Sequence, residues 1–404
     1  METPETTQTI DRRTALKLGV LGAGALVLSD WRIAWAGQAP TAPPSAGPPP
    51  LFFGVISDVH AGWERADDPL TELGWAIDQL SAVHPDFVLF PGDITDNAQP
   101  AQYQSALPRA RRIVSPVYYL PGNHECPLGE TEYRARFTQF TGQPPWQAVR
   151  LPGWRLILLD SVRISGGRLR HDGVVGKEQL EWLKHELAGI GPNEPIILAD
   201  HHPFMIPDNG LTNADEVLAL FRDHYLLYTI TGHFHYNQHD TDDRGVHHFV
   251  TGALSYSNSP FDGIGYRLFS TVGNNLWTTW VETTDPAPLS AWFEAAGPGP
   301  LKHPCSIALP SPSGNGSHVA VSARYLGDGL ALKSGGRTLW TLPAARQPAT
   351  AVVILTEADS ATLLGASTSS LTLDPVGQVS VKSVAVYRSS ARWEHYGLRH
   401  TPAQ

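Results

Sequence analysis

Between residues 51 and 283 the sequence predicts an α/β fold, and after residue 304 it predicts a small all-β domain. In the first region, short apolar runs bounded by Gly, Pro or Asp alternate with segments of helical periodicity. That alternation is typical of strands that are buried on both faces of a sheet and covered by helices. In the second region, short alternating apolar runs are separated by turn clusters, as in a β-sandwich. A chain of 404 residues is long enough for both domains.

The elements of the α/β region follow from their residue patterns. Short apolar runs predict its main strands at 51–56, 87–90, 117–120, 156–159, 196–199 and 228–231. Further strand-like runs follow at 246–250, 266–272 and 276–281. A helix over 70–83 is predicted by the helical spacing of Leu70, Leu73, Ile77, Leu80 and Val83. The same spacing predicts helices over 178–187 and 214–221.

Two segments rich in proline and small residues divide the chain. Residues 37–50 are rich in Pro, Ala and Ser, which predicts an extended linker before the α/β domain of 51–283. Residues 284–303 predict a second linker, and this leaves 304–404 as a β-sandwich domain whose role the sequence does not identify.

Residues 1–36 have the pattern of an export signal. An arginine pair at 12–13 precedes the apolar run 18–29, and small residues mark a cleavage site at 34–36. The pair resembles a twin-arginine signal, although Asp11 stands where Ser or Thr is usual. The alternative is a membrane anchor, but the apolar run is short for a span and contains glycines. We therefore expect export through the twin-arginine machinery to the periplasm or the extracellular space, with no stable membrane span in the mature chain.

Charge and cysteine content limit the classes of partner. The formal net charge is −10, which argues against nonspecific nucleic-acid binding because that requires a basic surface. A small phosphorylated substrate stays compatible with this charge, since a local metal site can reverse the field. Cys126 and Cys305 are too few for a disulfide scaffold or a cysteine-rich zinc site, and they either pair with each other or remain free thiols.

Every main strand but one is followed directly by residues that can bind metal ions. These residues are Asp58 and His60, Asp93 and Asp96, Asn123 and His124, Asp200 with His201 and His202, and His233 and His235. The exception is the strand before Asp160 and Ser161, which offers no obvious ligand. Because the carboxyl ends of strands gather at one edge of an α/β sheet, we expect these loops to meet. A mixed Asp, Asn and His shell suits Fe, Mn or Zn.

In combination, these blocks resemble the calcineurin-like metallophosphoesterases. The blocks are Asp58-x-His60, Gly92-Asp93-x-x-Asp96, Gly122-Asn123-His124-Glu125, His201-x-Pro203 and Gly232-His233-x-His235, in the family's order. Any single block is a weak signal, whereas all of them within residues 51–283 are specific. The resemblance implies a four-layer α/β/β/α sandwich with a dinuclear metal centre. The sequence departs from the family at Glu125, where Asp is more usual, and the C-terminal region is not covered.

The resemblance also implies a role for each matching residue. One metal ion would be held by Asp58, His60 and His235, the other by Asn123, His201 and His233, with Asp93 bridging both. A metal-bridging water or hydroxide would be the nucleophile, its pKa lowered by the metal ions. His124 would stabilise the phosphoryl oxygens or protonate the leaving group, and Asp96 would orient His124. His202 is expected to contact the substrate or to support the ligands.

The predicted activity is therefore hydrolysis of a phosphate ester by a two-metal centre. The His201-His202-Pro203 form favours phosphodiesters slightly, because the class that cleaves cyclic nucleotides and glycerophosphodiesters shares it. A nucleotide pyrophosphatase or an acid phosphatase on the same site stays open. So does a non-catalytic metal-containing binding module, although a purely structural metal site would need neither His124 nor Asp96.

Several aromatic and histidine side chains lie outside these blocks. Trp63, Trp146 and Phe261 could line a substrate pocket, although packing is the commoner role of aromatic side chains. His239 and His247 match no block, and we interpret them as structural.

Overall fold

The computed structural model describes residues 8–10, 47–64, 69–126, 130–165, 168–169, 171–285, 289–312, 316–365 and 369–398. Apart from Gln8–Ile10, the predicted export signal and its arginine pair lie outside the described residues, as does most of the 37–50 linker. The chain divides into an α/β unit, residues 51–289 with 390–404, and a β unit, residues 1–50 with 290–389. Within the described ranges, no helix is long and apolar enough to cross a membrane.

The first sheet of the α/β unit has six strands with a parallel centre. Their order is Gln238–Thr241, His247–Val250, Tyr225–Thr231, Pro195–Ala199, Trp154–Leu158 and Gln147–Leu151. The four central strands run parallel to one another, and each outer strand is antiparallel to its neighbour. Every residue of the two middle strands is buried, as expected for parallel strands covered on both faces.

The second sheet also has six strands, of which half are parallel. Their order is Glu394–Gly397, Asn275–Glu282, Gly265–Val272, Leu51–Val55, Phe87–Pro91 and Val117–Leu120. The last three strands in this order are parallel, and antiparallel pairing joins the others. A small hairpin, Ile164–Ser165 with Arg168–Leu169, lies outside both sheets.

The two sheets face each other across an aromatic and aliphatic core. Phe53 of the second sheet stacks on Phe87 and Phe269 at ring-centroid distances of 4.6 and 4.9 Å. It also reaches Tyr228 of the first sheet at 6.3 Å. Leucines and isoleucines of both sheets complete this cluster, which removes a large apolar area from water.

Helices cover the outer face of the first sheet. Lys177–Ala188 presents Leu180 and Leu183 to the sheet, and Ala214–Ala219 presents Val217. Leu180 and Leu183 lie within the range 178–187, for which helical spacing of apolar residues predicted a helix.

Other helices cover the second sheet. Pro69–Val83 packs its Leu80 so closely on Gly54 that a Cβ at that glycine would collide with the leucine. Its Trp75 contacts Tyr266 of the sheet at 5.4 Å between ring centroids. The remaining helices of this unit are Pro100–Ala110, the short 3₁₀ turn Asn123–Glu125 and Glu130–Thr141. The predicted four-layer α/β/β/α sandwich is confirmed.

In its described residues, the β unit contains two further sheets and one helix. A five-stranded sheet has the order Gln8–Ile10, Cys305–Ala308, Ser370–Pro375, Leu330–Ser334 and Arg337–Leu342. A four-stranded sheet has the order Leu289–Leu301, Val379–Ser389, His318–Gly327 and Ala345–Ile354. Glu357–Gly365 is helical. The β-rich character predicted for this region is confirmed. Cys126 of the α/β unit and Cys305 of the β unit are both buried free thiols.

Strand pairing places two segments differently from the sequence prediction. Leu289–Leu301, predicted to lie largely in the 284–303 linker, is an edge strand of the four-stranded sheet. Edge strands tolerate proline because one row of their N–H groups needs no partner, so the Pro-rich composition was misleading. Glu394–Gly397, predicted to belong to the 304–404 sandwich, pairs instead with Asn275–Glu282 of the second sheet. Tyr396 packs on the core of that unit, a long-range contact that local pattern does not reveal.

Candidate dinuclear metal centre

The loops that follow the strands place several predicted ligands in an unusual backbone conformation. The φ angles of Asp58, His60, Asp93, His233 and His235 are 52°, 46°, 50°, 74° and 57°. Positive φ is uncommon for residues other than glycine, and such residues cluster at functional sites where the surrounding structure holds them. Here the His60 N–H donates to the Asp93 carbonyl at 2.9 Å, and the Asp58 N–H donates to the Gly92 carbonyl at 3.3 Å. Neighbouring loops therefore fix one another.

The positions beside the ligands require glycine because neighbouring side chains approach the backbone too closely for a Cβ atom. A Cβ at Gly122 would collide with the Asp93 carboxylate, and a Cβ at Gly232 would collide with the Asp58 carboxylate. A Cβ at Gly92 would meet the His201 ring, and Gly92 also has a φ of 95°. The absence of a side chain at these positions lets the ligands converge.

The first cluster consists of Asp58, His60, Asp93 and His235, all of them buried. The Nε2 atoms of His60 and His235 lie 3.1 Å apart. His235 Nε2 lies 3.2 Å from Asp58 Oδ1, and His60 Nε2 lies 3.6 Å from Asp93 Oδ2. Two imidazole nitrogens and two carboxylates facing one point form a donor set that fits a transition-metal ion.

The second cluster shares Asp93 with the first and adds His201 and His233. His201 Nε2 lies 3.2 Å from Asp93 Oδ2 and 3.1 Å from the amide oxygen of Asn123. Nδ1 of His201 lies 2.8 Å from the Pro91 carbonyl. Because a carbonyl only accepts, Nδ1 carries the proton, and in the neutral ring Nε2 presents its lone pair to the cluster. This tautomer is the one that a metal ligand needs.

Burial and neighbouring charges together shift the pKa values of Asp93 and His201. Burial raises the pKa of the Asp93 carboxyl, but the His201 and His124 rings outweigh it and hold that pKa well below its usual range. Burial lowers the pKa of His201, yet the Asp93 carboxylate outweighs it and raises the pKa to about 10. Without metal ions, the buried carboxylates thus retain a proton on His201. Metal cations would supply that positive charge instead, which is a further sign that the residues fit metal ions.

His124 lies beside the first cluster and is partly exposed. Its backbone N–H donates to Asp93 Oδ1 at 2.8 Å, and its Nδ1 donates to the main-chain carbonyl of Asp96 at 2.6 Å. The Asp96 carboxylate lies 3.7 Å from His124 Nδ1 and 3.4 Å from His60 Nδ1. The bond that orients His124 therefore comes from the Asp96 backbone, whereas the sequence pointed to its carboxylate.

His202, the residue expected to contact substrate or support the ligands, is fully buried. Its Nδ1 lies 2.7 Å from the Ser161 hydroxyl, and that hydroxyl donates to Asp200 Oδ1 at 2.6 Å. The His202 ring packs on His201 and His233 at centroid distances of 5.1 and 4.6 Å. These contacts favour support of the second cluster over contact with substrate. Ser161, on the strand end that appeared to contribute nothing, is thus part of the site.

Glu125 is a second residue whose importance the sequence did not reveal. Its buried carboxylate accepts hydrogen bonds from the Thr95 N–H at 2.8 Å, the Thr95 hydroxyl at 2.9 Å and the Gly122 N–H at 2.9 Å. It therefore ties the loop that carries Asp93 to the loop that carries Asn123. Its departure from the family's usual Asp was the only signal in the sequence.

A two-sheet α/β/β/α fold with a buried pair of Asp and His clusters at its strand ends defines a metallophosphoesterase. Residues 53–237 match the family model described as calcineurin-like phosphoesterase. The enzyme class and the dinuclear metal site predicted from the sequence are confirmed at this level.

Several curated proteins are similar to this chain. A probable cyclic nucleotide phosphodiesterase of Synechococcus sp. is 28% identical over 212 residues, which cover 49% of this chain and 78% of the relative. A 3′,5′-cyclic-nucleotide phosphodiesterase of Nostoc sp. is 27% identical over 264 residues, 58% of this chain and 92% of the relative. Among solved structures, a dimetal phosphatase from Danio rerio aligns with a TM-score of 0.49 at 20% identity, covering 57% of this chain and 97% of that one.

Proposed function

We propose that this protein is an exported phosphodiesterase that cleaves small phosphodiesters, with cyclic nucleotides as the leading substrate class. The observation that carries the proposal is the Asp93 carboxylate, which is shared by both histidine clusters and also accepts the backbone N–H of His124. One buried group therefore links two metal sites to a candidate proton donor. The names of the Synechococcus and Nostoc relatives support the diester class.

The proposed ligands follow the two clusters. Asp58, His60 and His235 would hold one metal ion, and Asn123, His201 and His233 the other, with Asp93 between them. Bound metal ions would supply charge that activates water and neutralises the phosphoryl oxygens. The donor set is compatible with Fe, Mn or Zn. In this assignment His202, Ser161 and Asp200 orient the second set of ligands.

His124 is the proposed acid for the leaving oxygen. Burial lowers its pKa, but the Asp93 carboxylate and the Asp96 carbonyl outweigh it and raise the pKa above the usual histidine value. Its Nδ1 proton is held by the Asp96 carbonyl, so Nε2 is the atom that can give a proton to a departing alkoxide. A phosphate monoester or a pyrophosphate could use the same residue, and these substrates stay as the alternatives.

The test is a substrate panel with metal-free protein reloaded separately with Mn, Fe or Zn. We expect turnover of 3′,5′-cyclic AMP and bis(p-nitrophenyl) phosphate that exceeds turnover of p-nitrophenyl phosphate and ADP-ribose. A preference for p-nitrophenyl phosphate would favour a phosphatase, and a preference for ADP-ribose would favour a pyrophosphatase. Metal binding without cleavage of any ester would favour a binding module.

The acid role of His124 has its own test. His124→Ala should slow cyclic AMP hydrolysis by about 10²–10³-fold, in the range typical of a lost general acid. It should slow bis(p-nitrophenyl) phosphate much less, because p-nitrophenolate leaves without protonation. An equal loss on both esters would assign His124 to phosphoryl binding instead.

Export is proposed from the sequence of residues 1–36 alone. Replacing Arg12 and Arg13 by lysine should leave precursor in the cytoplasm if the twin-arginine machinery is used. Cell fractionation with a cytoplasmic marker measures this, and unchanged export would point to a different route.

A further inference from the structure

A loop outside the recognised motifs is fastened to two of the metal-ligand segments. Residues 254–258 lie between the strands His247–Val250 and Gly265–Val272. The Ser255 N–H and hydroxyl both donate to the Asp58 carbonyl, at 3.3 and 2.8 Å. The Ser257 hydroxyl and the Asn258 N–H both donate to the His235 carbonyl, at 3.2 and 3.0 Å. The residue between these anchors, Tyr256, is therefore held in a fixed position.

Tyr256 forms an aromatic pair with Trp63. The two rings are stacked, with centroids 5.0 Å apart and an interplanar angle of 19°. The Trp63 backbone is itself fixed, because its main-chain N–H donates to the His60 carbonyl at 2.9 Å. Both side chains are partly exposed. Each member of the pair thus comes from a loop that is bonded to a proposed metal ligand.

The aromatic pair and the proposed acid His124 both lie close to the ring of the proposed ligand His60. The His60 ring has its centroid 4.4 Å from His124, 5.7 Å from Tyr256 and 6.1 Å from Trp63. Tyr256 also lies 4.1 Å from the His235 ring. An ester oxygen that takes a proton from His124 would therefore carry its organic group close to the pair.

We propose that Trp63 and Tyr256 form a stacking subsite for a flat heterocyclic ring, so that the site selects phosphodiesters of nucleosides. The inference rests on the proposed phosphodiesterase function and adds the residues that decide its substrate. Rigid aromatic faces beside a few polar groups are typical of ligand sites. Any nucleobase can stack on an aromatic side chain, because every base has a π-face.

The experiment compares two cyclic diesters that differ only in the base. One is 3′,5′-cyclic AMP, and the other is methyl riboside 3′,5′-cyclic phosphate, in which a methoxy group replaces adenine. We expect Tyr256→Leu and Trp63→Leu each to lower the ratio of the two kcat/KM values by about tenfold, within the range of stacking on one aromatic side chain. Tyr256→Phe should retain most of the wild-type ratio, since it keeps the ring.

The control is Phe261→Leu, which removes an aromatic ring that is 91% exposed on the same connection between strands. It should leave the ratio unchanged. A direct binding measurement, calorimetry of 5′-AMP against ribose 5-phosphate, should show the same loss of base preference in the leucine variants and does not depend on turnover.

Two results would overturn the subsite. If both esters lose kcat/KM equally in the leucine variants, the pair only supports the ligands. If neither ratio nor binding preference changes, the base lies elsewhere. Failure of the proposed function itself would look different, because the wild-type protein would then cleave neither cyclic diester nor bis(p-nitrophenyl) phosphate.

Discussion

The two units of the chain differ in whether residues other than glycine adopt positive φ. In the α/β unit, positive φ occurs at several Asp and His residues, among them Asp58, Asp93 and His235. In the described part of the β unit, every residue with positive φ is a glycine. Glycine adopts this conformation without steric cost, whereas Asp and His need hydrogen bonds that hold them there. Among the described residues, positive φ outside glycine is thus confined to the α/β unit, where five of the eight such residues are proposed metal ligands.

Buried charge follows the same division. The α/β unit buries the carboxylates of Asp58, Asp93, Glu125, Asp160 and Asp200 together with several histidines. Among the described residues of the β unit, the buried charged side chain is Asp359, which pairs with Arg337 at 2.7 Å. Buried charges are costly unless they are paired or bind metal ions. The α/β unit therefore gives up stability to build its site, and the β unit does not.

The largest difference is expected when one aspartate in each unit is changed to asparagine. Asp93→Asn removes the charge shared by both clusters and should lower kcat/KM for bis(p-nitrophenyl) phosphate at least about 10³-fold, with loss of bound metal. Asp374→Asn removes a partly exposed ion pair with Lys333 in the β unit and should change activity less than about twofold. Steady-state kinetics and metal analysis measure both. An Asp93→Asn protein that retains a tenth of its activity would rule out the bridging role.

A second comparison concerns the buried hydrogen bonds of each unit. Glu125→Ala leaves the Thr95 N–H, the Thr95 hydroxyl and the Gly122 N–H without their acceptor. It should lower the free energy of unfolding by about 3 kcal/mol, because buried donors are left without an acceptor. Ser360→Ala in the β unit removes one acceptor, for the Val319 N–H at 3.0 Å, and should cost about 1 kcal/mol. Denaturant unfolding of the metal-loaded protein tests the ranking.

Glu125→Gln distinguishes hydrogen bonding from charge in this experiment. The amide retains one acceptor oxygen, so it should recover part of the lost stability. Equal destabilisation by alanine and glutamine would show that the carboxylate charge is what matters.

A smaller effect is expected at Ser161. Ser161→Ala removes the hydroxyl that joins Asp200 to His202, and it should weaken metal retention by about tenfold, the lower end of the range for residues that orient ligands. Competition with a chelator measures this retention. Ser161→Thr keeps a hydroxyl and should restore most of it. If the alanine and threonine variants lose metal equally, metal retention depends on the size of the side chain at position 161 and not on its hydrogen bonds.

Much of the site could be predicted because its ligands are delivered locally. Asp58 and His60, or His233 and His235, follow apolar strands within a few residues, and parallel strands bring their carboxyl ends together. Ser161 and Glu125 could not be found this way. Their partners, Asp200 and Thr95, are 39 and 30 residues distant, and a hydrogen bond between loops depends on how those loops are placed by the whole fold.

The fold shows the same limit. Buried parallel strands and the helix over Lys177–Ala188 have strong apolar patterns, so they were predicted. Glu130–Thr141 has little apolar periodicity, and Pro100–Ala110 contains Pro108 in its interior, which argues against a helix on local grounds. Glu394–Gly397 joins the second sheet because Tyr396 packs on its core, a contact more than a hundred residues from its partner strand.

The smallest predicted effect concerns acid stability and the strand Glu394–Gly397. His239 stacks on Phe249 with ring centroids 4.6 Å apart, and the tilted Tyr396 ring lies 4.2 Å away. Its Nε2 lies 2.9 Å from His247 Nδ1. Burial, with His247 and Arg267, lowers the pKa of His239 to about 4. Between the ordinary histidine pKa of about 6.5 and this value, the unfolded chain binds the proton and the folded one does not. The α/β unit should therefore lose stability as the pH falls from about 6.5 to 4.

His239→Gln removes this titration while keeping a hydrogen-bonding side chain. Because the His239 ring is partly exposed, solvent screening reduces the expected gain at low pH to roughly 1 kcal/mol, or about 2–4 °C in Tm for a unit of this size. Calorimetric scans at pH 7 and pH 4.5 of wild-type and variant protein measure the difference. None of the described histidines of the β unit is buried, so a transition of that unit should not share this dependence. If the pH dependence of Tm is unchanged in His239→Gln, the acid sensitivity of the α/β unit comes from the ligand histidines and not from His239.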